Sequence, residues 1–342
     1  MSSLYSIQSA PRMPADAARI RVLPILILNI HNRCNCRCVM CDIWKRTEDV
    51  QLDAADLERH RDSIQSLGVR HVVLTGGEPL MHRDLGKLCS FFRAMSIRLT
   101  LLTTGLLMLK RAETVATCFD EVIVSLDGPE PVHDQIRRVP GAFRLIESGV
   151  AAVRRYAPKL RITCRTTVQK ANHVALRSTV LAAKQLALDR ISFLSADLSS
   201  QAFNRSRPWT VDRQEEIALT WSELHALEEE IELLLVTCEY DIRTGFVAEN
   251  GHKLRGLATR FREHLDHSQP KAPLCNAPWV SAVVDVDGTV RPCFFHSPVG
   301  SLKYATLDEA INSDAALRFR SSLNVAENPV CQSCVCSLNY RE

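Results

Sequence analysis

The chain lacks long apolar runs, blocks of like charge and internal repeats. Its apolar run at residues 22–30 contains a proline and is much shorter than the roughly 18 residues that a membrane-spanning helix needs. The N-terminus does not show the charged-then-apolar order of a secretory signal peptide, so we expect a cytoplasmic protein with no membrane partner. A formal net charge of only +3 does not indicate a basic groove for nucleic acid.

Cysteine, by contrast, is abundant, with thirteen residues in a chain of 342. In a reducing compartment, clustered cysteines are typical of metal sites rather than of disulfides. Four cysteines crowd residues 34–41, and five more fall within the last fifth of the chain. The remaining four are widely spaced, and we interpret them as small buried apolar side chains: Cys89, Cys118, Cys164 and Cys238.

Apolar segments alternate with amphipathic ones from residue 22 to about residue 195. Alternating strands and helices of this kind imply right-handed crossovers and a parallel sheet. Six such units are too few for a closed eight-stranded barrel. We therefore predict an α/β fold built on a partial (β/α)6 TIM-like barrel, with its chemistry at the carboxyl ends of the strands.

The pattern changes after residue 198, where a polar segment leads into a long predicted helix over about residues 210–235. From Cys275 onward, two short strands flank the turn Asp287-Gly288, and a helix over about residues 307–323 follows. We therefore divide the chain into four parts: a tail (1–22), a barrel core (23–198), a helical connecting region that can hold substrate (199–274) and a small hairpin-and-helix domain (275–342).

The first cysteine cluster follows the first predicted strand directly. Cys34, Cys38 and Cys41 form a C-x3-C-x2-C motif, which can place three thiolates around one metal centre. Thiolates hold iron–sulfur cubanes, and a cubane with three protein ligands leaves one iron open. A structural zinc site needs a fourth ligand, which Cys36 could supply, so the spacing alone leaves zinc open. The position at the end of a parallel strand favours the cluster.

With this motif in this position, the sequence resembles the radical S-adenosylmethionine (SAM) superfamily. The resemblance implies that Cys34, Cys38 and Cys41 ligate a 4Fe–4S cluster whose open iron binds the amino and carboxylate groups of SAM. Cys36 takes a position often held by leucine in the family, which implies packing. Met40 replaces an aromatic residue that often precedes the third cysteine, and its thioether can pack on the adenine ring.

Further motifs that resemble those of this family follow at the ends of later strands. Gly76, Gly77, Glu78 and Pro79 match the family's GGEP motif, which implies a binding site for the methionine ammonium group. Glycines at such a site let the backbone approach a ligand closely. Thr104 lies in a Thr-Thr-Gly segment that resembles the family's Thr-Asn-Gly segment, which implies a further contact with the cofactor.

The fourth strand ends in Ser125-Leu-Asp127-Gly, followed by His133, Asp134 and Arg137. This stretch resembles the S-x-D-G…H-D-x-I-R pattern of the branch that modifies peptides and small molecules. The resemblance implies that Ser125 and Asp127 face the ligand and that Arg137 pairs with the carboxylate of SAM. A surface ion pair is the alternative for Arg137.

The second cysteine set consists of Cys275, Cys293, Cys331 and Cys334. Four cysteines with a hairpin and a C-x2-C spacing also describe a zinc ribbon, so zinc is a real alternative. The surrounding Cys-Asn-Ala-Pro-Trp, Val-Asp-Val-Asp-Gly and Arg-Pro-Cys segments resemble the auxiliary-cluster domain called SPASM, in its shortened "twitch" form. The resemblance implies one auxiliary 4Fe–4S cluster held by these four residues, with Cys336 left over or replacing Cys334.

Together, these resemblances imply a radical SAM oxidoreductase with two 4Fe–4S clusters and SAM. In the family, reductive cleavage of SAM gives a 5′-deoxyadenosyl radical that removes a hydrogen atom from a small-molecule or peptide substrate. The expected partner is an electron donor such as flavodoxin or ferredoxin. An auxiliary cluster that can accept a second electron favours dehydrogenation of a sugar or cyclitol alcohol, as in the dehydrogenases of aminoglycoside biosynthesis.

Two alternatives stay open. Many relatives cross-link ribosomal peptides, although these often carry a peptide-binding extension ahead of the barrel, where this sequence has fewer than 25 residues. A zinc-binding scaffold without catalysis is the other alternative. Oxidation of an alcohol also needs a proton acceptor, and the candidates are Asp197, just after the sixth predicted strand, and Asp241 or Arg243.

Overall fold

The computed structural model describes residues 18–205 and 207–341 of the chain. The predicted tail, residues 1–22, therefore lies outside the described residues as far as residue 17. The described chain forms one nine-stranded sheet with strand order β6-β5-β4-β3-β2-β1-β7-β8-β9. Its strands are β1 (Ile25–His31), β2 (His71–Gly76), β3 (Arg98–Thr103), β4 (Glu121–Ser125), β5 (Arg161–Val168), β6 (Arg190–Ser195), β7 (Ser281–Val284), β8 (Thr289–Arg291) and β9 (Gly300–Ser301).

Helices connect the strands and cover the outside of the sheet. The α-helices of the described chain are α1 (Ala54–Glu58), α2 (Arg61–Ser66), α3 (Leu85–Arg93), α4 (Ala112–Cys118), α5 (Glu130–Arg137), α6 (Ala142–Tyr156), α7 (Leu176–Gln185), α8 (Val211–Glu215), α9 (Trp221–Thr237), α10 (Glu239–Arg243), α11 (Gly251–Leu265), α12 (Ala277–Val280), α13 (Leu307–Ile311), α14 (Asp314–Ser322) and α15 (Pro329–Gln332). None of the helices in this part of the chain is long and apolar enough to cross a membrane.

Strands β1–β6 run parallel in chain order, as the partial-barrel prediction requires. Successive side chains of each strand point to opposite faces of the sheet. Leu26, Leu28 and Leu74 are fully buried in the core between sheet and helices, and burial of each such side chain contributes about 1.5–3 kcal/mol. Ile27 and Val73, on the other face, are only half-buried and line the barrel interior. The core therefore lies outside the sheet, and the inner face stays available for a ligand.

The apolar pattern predicts long helices over about residues 54–67, 210–235 and 307–323. Each of these is divided in two, at residues 59–60, 216–220 and 312–313. Local capping explains two of these breaks. Thr220 starts α9 with a capping box, and the side chain of Ser313 accepts a backbone N–H in the first turn of α14. The amphipathic pattern predicts where the helices lie, but the caps decide where each one begins.

The C-terminal hairpin extends the barrel sheet instead of forming a separate layer. Strand β7 pairs in parallel with β1, from Ile25 opposite Ser281 to Leu28 opposite Val284. Strands β8 and β9 then continue the sheet in antiparallel pairings. The region predicted as a small separate domain is thus hydrogen-bonded to the first strand of the barrel.

Candidate functional site

The cysteine-rich loop, residues 32–46, lies at the carboxyl end of β1 and is held from the side by helix α5. Two backbone N–H groups of the loop donate to the last turn of that helix, to the carbonyl oxygens of Ile136 (3.1 Å) and Arg137 (3.2 Å). Cys36 and Cys38 are buried, whereas the other two cysteines of the loop are half-buried. Burial of Cys36 fits the packing role that the sequence predicts for it.

Arg137 lies against the cysteine loop and not on the surface. Its Nη1 group donates to the Cys38 sulfur over 3.4 Å, and its Nη2 atom lies 2.6 Å from Oδ2 of Asp127. The hydrogen bond from the Cys36 thiol lowers the pKa of Cys38 to about 6, and the Arg137 charge acts in the same direction. The environment therefore favours the thiolate form of Cys38, which is the form that binds iron.

This geometry bears on two predictions. Asp127 is fully buried, pairs with Arg137 and accepts the backbone N–H of Thr167 (3.0 Å). Arg137 is buried too, so it is not a surface ion pair. Its Nε atom has no hydrogen-bond partner within the described residues, and the contacts of Asp127 and Arg137 with SAM stay predictions. Ser125, by contrast, is half-buried at the end of β4, on the inner face of the sheet.

The two glycines of the GGEP motif bring the end of β2 against the cysteine loop. A Cβ atom at Gly76 would lie 2.5 Å from the carbonyl oxygen of His31, and one at Gly77 would lie 2.0 Å from that of Arg33. The backbone N–H groups of Gly77 and Glu78 donate to the same two oxygens over 2.7 and 2.8 Å. The close approach that requires glycine is therefore to the loop backbone.

The carboxylate of Glu78 is fully buried, and both of its oxygens are occupied. It accepts hydrogen bonds from the hydroxyl of Thr103 (2.7 Å), from the backbone N–H (2.7 Å) and hydroxyl (2.6 Å) of Thr104, and from the backbone N–H of Leu80 (2.9 Å). Pro79 is buried beside it at the start of a short turn. These hydrogen bonds fix the end of β3, and the contact of the GGEP segment with the methionine ammonium stays a prediction.

Thr104 and Met40 lie next to the loop cysteines. The Thr104 hydroxyl is also 3.1 Å from Oδ1 of Asn35, between Cys34 and Cys36. Met40 is half-buried and packs against the buried cluster that contains Cys36 and Cys38. Both residues remain predicted cofactor contacts.

Asp197, a predicted proton acceptor, is buried and neutralised. The Nη1 group of Arg205 donates to its carboxylate over 2.8 Å. The guanidinium of Arg205 stacks 3.6 Å above the Trp209 ring, whose indole N–H donates to Asp42 over 2.7 Å. Arg205 and Trp209 therefore bind the cysteine loop, at the carbonyl oxygen of Met40 and at Asp42, and Asp197 is held in the ion pair with Arg205.

The other two predicted proton acceptors lie away from the barrel interior. Asp241 pairs with Lys184 of helix α7 at 2.7 Å in the outer helical layer. Arg243 is exposed beside the ring of Tyr240. Neither lines the cavity described next, so both predictions are revised.

All five C-terminal cysteines line one cavity of about 300 Å³ together with the inner faces of β1–β5. The set consists of Cys275, Cys293, Cys331, Cys334 and Cys336. Asn276, next to Cys275, holds the C-terminal segment in place. Its side chain donates to the backbone carbonyl of Tyr340 over 2.8 Å and accepts the backbone N–H of Tyr340 over 2.9 Å. The five cysteines therefore border one shared volume.

His296 is a cavity residue that the sequence prediction missed. Its Nε2 atom lies 3.3 Å from the sulfur of Cys331, and its ring packs edge-on against Phe319. A histidine three residues after Cys293 was the only signal in the sequence. An imidazole N–H at this position can donate to a ligating sulfur.

The donor chemistry of both cysteine sets fits iron–sulfur clusters. Across residues 18–205 and 207–341, no three His, Cys, Asp or Glu side chains converge closely enough to hold a single metal ion. Thiolates are the ligands that iron–sulfur clusters use, so this fit rests on the donor type and not on converging side chains.

Comparison with known proteins gives two family matches. The Radical SAM superfamily matches residues 28–169, and the iron–sulfur cluster-binding domain SPASM matches residues 275–335. Pre-heme d1 synthase from Dinoroseobacter shibae is 32% identical over 167 residues, which are 48% of this chain and 41% of that protein. Fe-coproporphyrin III synthase from Methanosarcina barkeri is 29% identical over 157 residues, 44% of this chain and 38% of that protein. The chain thus aligns with less than half the length of these relatives.

Among solved structures, Streptococcus suis SuiB bound to precursor peptide SuiA superposes with a TM-score of 0.64 at 15% identity, covering 94% of this chain and 73% of SuiB. This likeness shows a shared fold. A radical SAM domain binds a 4Fe–4S cluster and SAM, and a SPASM domain binds auxiliary iron–sulfur clusters. The chain therefore carries a radical SAM domain over residues 28–169 and a C-terminal SPASM iron–sulfur cluster-binding domain over residues 275–335.

Proposed function

We propose that this chain is a radical SAM oxidoreductase that removes a hydrogen atom and then an electron from a substrate bound inside the barrel. The shared cavity is the observation that supports this most: the five C-terminal cysteines and the inner faces of β1–β5 line the same volume. An electron acceptor held by those cysteines would adjoin the substrate. That arrangement favours a net two-electron oxidation.

The proposed ligands of the SAM-binding cluster are Cys34, Cys38 and Cys41. The proposed ligands of the auxiliary cluster are Cys275, Cys293, Cys331 and Cys334, with Cys336 as the alternative to Cys334. When bound, these groups supply a 5′-deoxyadenosyl radical for hydrogen abstraction and a nearby acceptor for the second electron.

The surrounding residues position these groups. Arg137 donates to the Cys38 sulfur and balances its negative charge. Gly76 and Gly77 let β2 approach the cysteine loop, and Glu78 fixes the Thr103–Thr104 segment beside it. We propose that Met40, Thr104 and Ser125 contact the bound SAM, since they lie next to the loop or on the inner face.

The cavity wall bears on the substrate class. A sugar or cyclitol alcohol is the substrate that the sequence analysis favours for such an oxidation. The wall, however, is largely apolar and includes Val73, Leu102, Ile123, Val283 and Phe295. A bare polyol buried there would lose hydrogen bonds to water without replacement. We therefore propose that the oxidised carbon belongs to a molecule with an apolar body.

A peptide is the second candidate substrate. SuiB, which shares this fold, has been solved with its precursor peptide bound. An apolar side chain of a peptide would satisfy the same wall as an apolar small molecule. Thioether or carbon–carbon cross-linking would then replace dehydrogenation as the outcome of the oxidation.

Anaerobic reconstitution tests the proposed class. Two clusters predict about eight irons per chain with matching sulfide, and dithionite with SAM should release 5′-deoxyadenosine. Single alanine variants of Cys34, Cys38 and Cys41 should abolish that release. Colourless protein that binds zinc, or release that survives all three variants, would reject the proposal.

The auxiliary site needs its own variants. Cys275→Ala should reduce the iron content by about half while dithionite-driven cleavage of SAM continues. Cys334→Ser and Cys336→Ser should differ, with iron lost only from the first. Iron loss from Cys336→Ser alone would make Cys336 the ligand in place of Cys334.

A further inference from the structure

The polar groups on the barrel side of the cavity are mostly paired with each other. Glu121 accepts from Arg98 over 2.8 Å and lies 3.5 Å from Arg161. The ring of His71 bonds the hydroxyl of Thr100 over 2.8 Å, and burial lowers its pKa, so it is neutral near pH 7. These groups therefore offer little net charge to a ligand.

Arg165 is the exception. It lies on β5 between Ser125 of β4 and Ser192 of β6 in the sheet register, is half-buried, and lines the cavity. Within residues 18–205 and 207–341, its guanidinium has no hydrogen-bond acceptor and no carboxylate at ion-pair distance. A half-buried guanidinium without a protein partner leaves its five donors available to a ligand in the cavity.

The charges nearest to Arg165 do not neutralise it. The carboxylate of Glu249 feels its charge but is bound to the backbone N–H of Phe193 over 3.1 Å. Cys336, which lines the same cavity, also feels its charge. The guanidinium thus faces an apolar space that is bordered by the cysteine set.

We propose that Arg165 is an anion-binding subsite that holds a carboxylate or phosphate of the substrate. This inference rests on the proposed function and narrows its substrate class to an apolar body with one anionic group. The planar guanidinium can bind either oxyanion with two parallel hydrogen bonds. The apolar wall strengthens that pairing by excluding water. Anchoring the anion at β5 would leave the apolar body between the carboxyl ends of the strands and the cysteine set.

A different role for Arg165 would be to balance the charge of the auxiliary cluster. The two roles predict different results when Arg165 is replaced by a neutral residue. If Arg165 binds the anion, the variant binds small anions more weakly and the spectrum of the cluster does not change. If Arg165 balances the cluster charge, the spectrum shifts and the affinity for anions does not change.

Calorimetric titration of the reconstituted holoenzyme with SAM tests the proposal, with phenylacetate, phenyl phosphate and neutral phenylacetamide as probes. We expect one or both anions to bind the unmodified enzyme and the amide not to bind. Arg165→Gln should weaken anion binding at least about tenfold, and Arg165→Lys should restore part of it. Preference for phenylacetate or for phenyl phosphate identifies the anionic group.

The matched control is Arg161→Gln, an exposed arginine on the same strand that already pairs with Glu121. It should leave anion affinity unchanged. Failure of both anions to bind, equal binding of the amide, or unchanged affinity in Arg165→Gln would overturn the proposal. An auxiliary-cluster electron paramagnetic resonance signal that shifts in Arg165→Gln without a loss of affinity would overturn it too. Release of 5′-deoxyadenosine by the unmodified enzyme reports on the proposed function separately.

Discussion

The side chain of Arg137 contacts both the cysteine loop, at Cys38, and Asp127 at the end of strand β4. Both side chains are buried, at 0% and 8% exposure, and their atoms approach to 2.6 Å. Removing one partner of such a pair leaves an uncompensated buried charge, which costs about 3–5 kcal/mol. Asp127→Asn should therefore lower the free energy of unfolding by that amount in anaerobic urea titrations.

The control for this prediction is the ion pair between Arg144 and Glu130, which lies close by on the surface. Its side chains are 73% and 39% exposed at a separation of 2.7 Å. Exposed pairs contribute about 0–1 kcal/mol, so Arg144→Gln should change stability little. Equal small losses in both variants would contradict the structural role given to Asp127.

His133 gives the protein a predictable acid sensitivity. It is fully buried, and its Nδ1 atom accepts the backbone N–H of Asp127 over 3.2 Å. Burial, together with the charge of Arg137, lowers its pKa from 6.5 to about 3. Between these values the unfolded chain binds more protons than the folded one. Stability should therefore fall as the pH drops below about 6.5, by up to about 1.4 kcal/mol per pH unit.

Anaerobic urea titrations at about pH 7, 6 and 5 measure this slope. His133→Asn is the informative variant, because its amide oxygen can still accept the Asp127 N–H while the side chain does not titrate. In this variant, the free energy of unfolding should depend less steeply on pH, because the contribution of His133 is removed. An unchanged slope would place the acid sensitivity in other groups.

At the residue scale, the spacing of motifs predicts which residues belong to the site, but it does not predict which groups each residue contacts. The C-x3-C-x2-C motif is a local pattern, and the structure places its residues on one loop after β1. Three partners of Glu78 and Asp127 lie 25 or more positions away in sequence, on Thr103, Thr104 and Thr167. Such contacts depend on how strands are placed side by side, so the motifs could not reveal that these carboxylates bind neighbouring strands.

At the element scale, the joint between β2 and the cysteine loop depends on the absence of a side chain. A Cβ atom at Gly77 would lie 2.0 Å from the carbonyl oxygen of Arg33, and the other nearest atoms also belong to the loop backbone. The loop would have to move, and overpacking of this kind costs about 1–3 kcal/mol or more. Gly77→Ala should therefore reduce both thermal stability and the iron retained by the N-terminal cluster.

Gly86→Ala is the matched control, because no atom lies within 4 Å of a Cβ built at that position in helix α3. The substitution should be neutral or stabilise the helix by up to about 1 kcal/mol. Iron retention should be unchanged in this variant. Loss of iron from both variants would mean that the effect does not arise at the joint.

The elements that the sequence predicts well are those with a long buried face. The apolar pattern predicts a helix over residues 142–156 and a strand over residues 98–103, which are the bounds of α6 and β3, and α6 buries seven of its fifteen residues. Helices α4 and α5 were not predicted. Helix α4 buries only Ala112 and Val115, and α5 is eight residues long with a proline in its first turn. Elements this short carry too few apolar positions to show a period.

At the scale of the whole molecule, the position of the auxiliary cysteines could not be read from the sequence. The hairpin signal at Asp287-Gly288 predicts β7 and β8 but not where they attach. Pairing of β7 with β1 joins residues more than 250 positions apart, and this pairing carries the cysteine set to the barrel interior. The single sheet thus places the predicted electron acceptor and the predicted substrate volume side by side.

We propose that exposed arginines around the cysteine loop dock an acidic electron donor such as flavodoxin. Residues 32–46 contain four basic residues and one acidic residue, of which Arg33 pairs with Asp49 (3.7 Å) and Lys45 with Asp42 (2.8 Å). Arg37 and Arg138 are exposed next to each other, and neither makes an ion pair or side-chain hydrogen bond within the described residues. A positive patch beside the cluster raises the association rate of an acidic partner about 10- to 1,000-fold.

Charge reversal separates docking from chemistry. In Arg37→Glu with Arg138→Glu, the rate of 5′-deoxyadenosine release driven by reduced flavodoxin should fall at least about tenfold at low ionic strength. The rate driven by dithionite should not change, because that small reductant needs no docking surface. Arg155→Glu with Arg318→Glu makes the same charge change at exposed positions on helices α6 and α14, and it should spare both rates. Equal loss in both double variants would trace the effect to net charge alone, and loss of the dithionite-driven rate would trace it to the cluster loop itself.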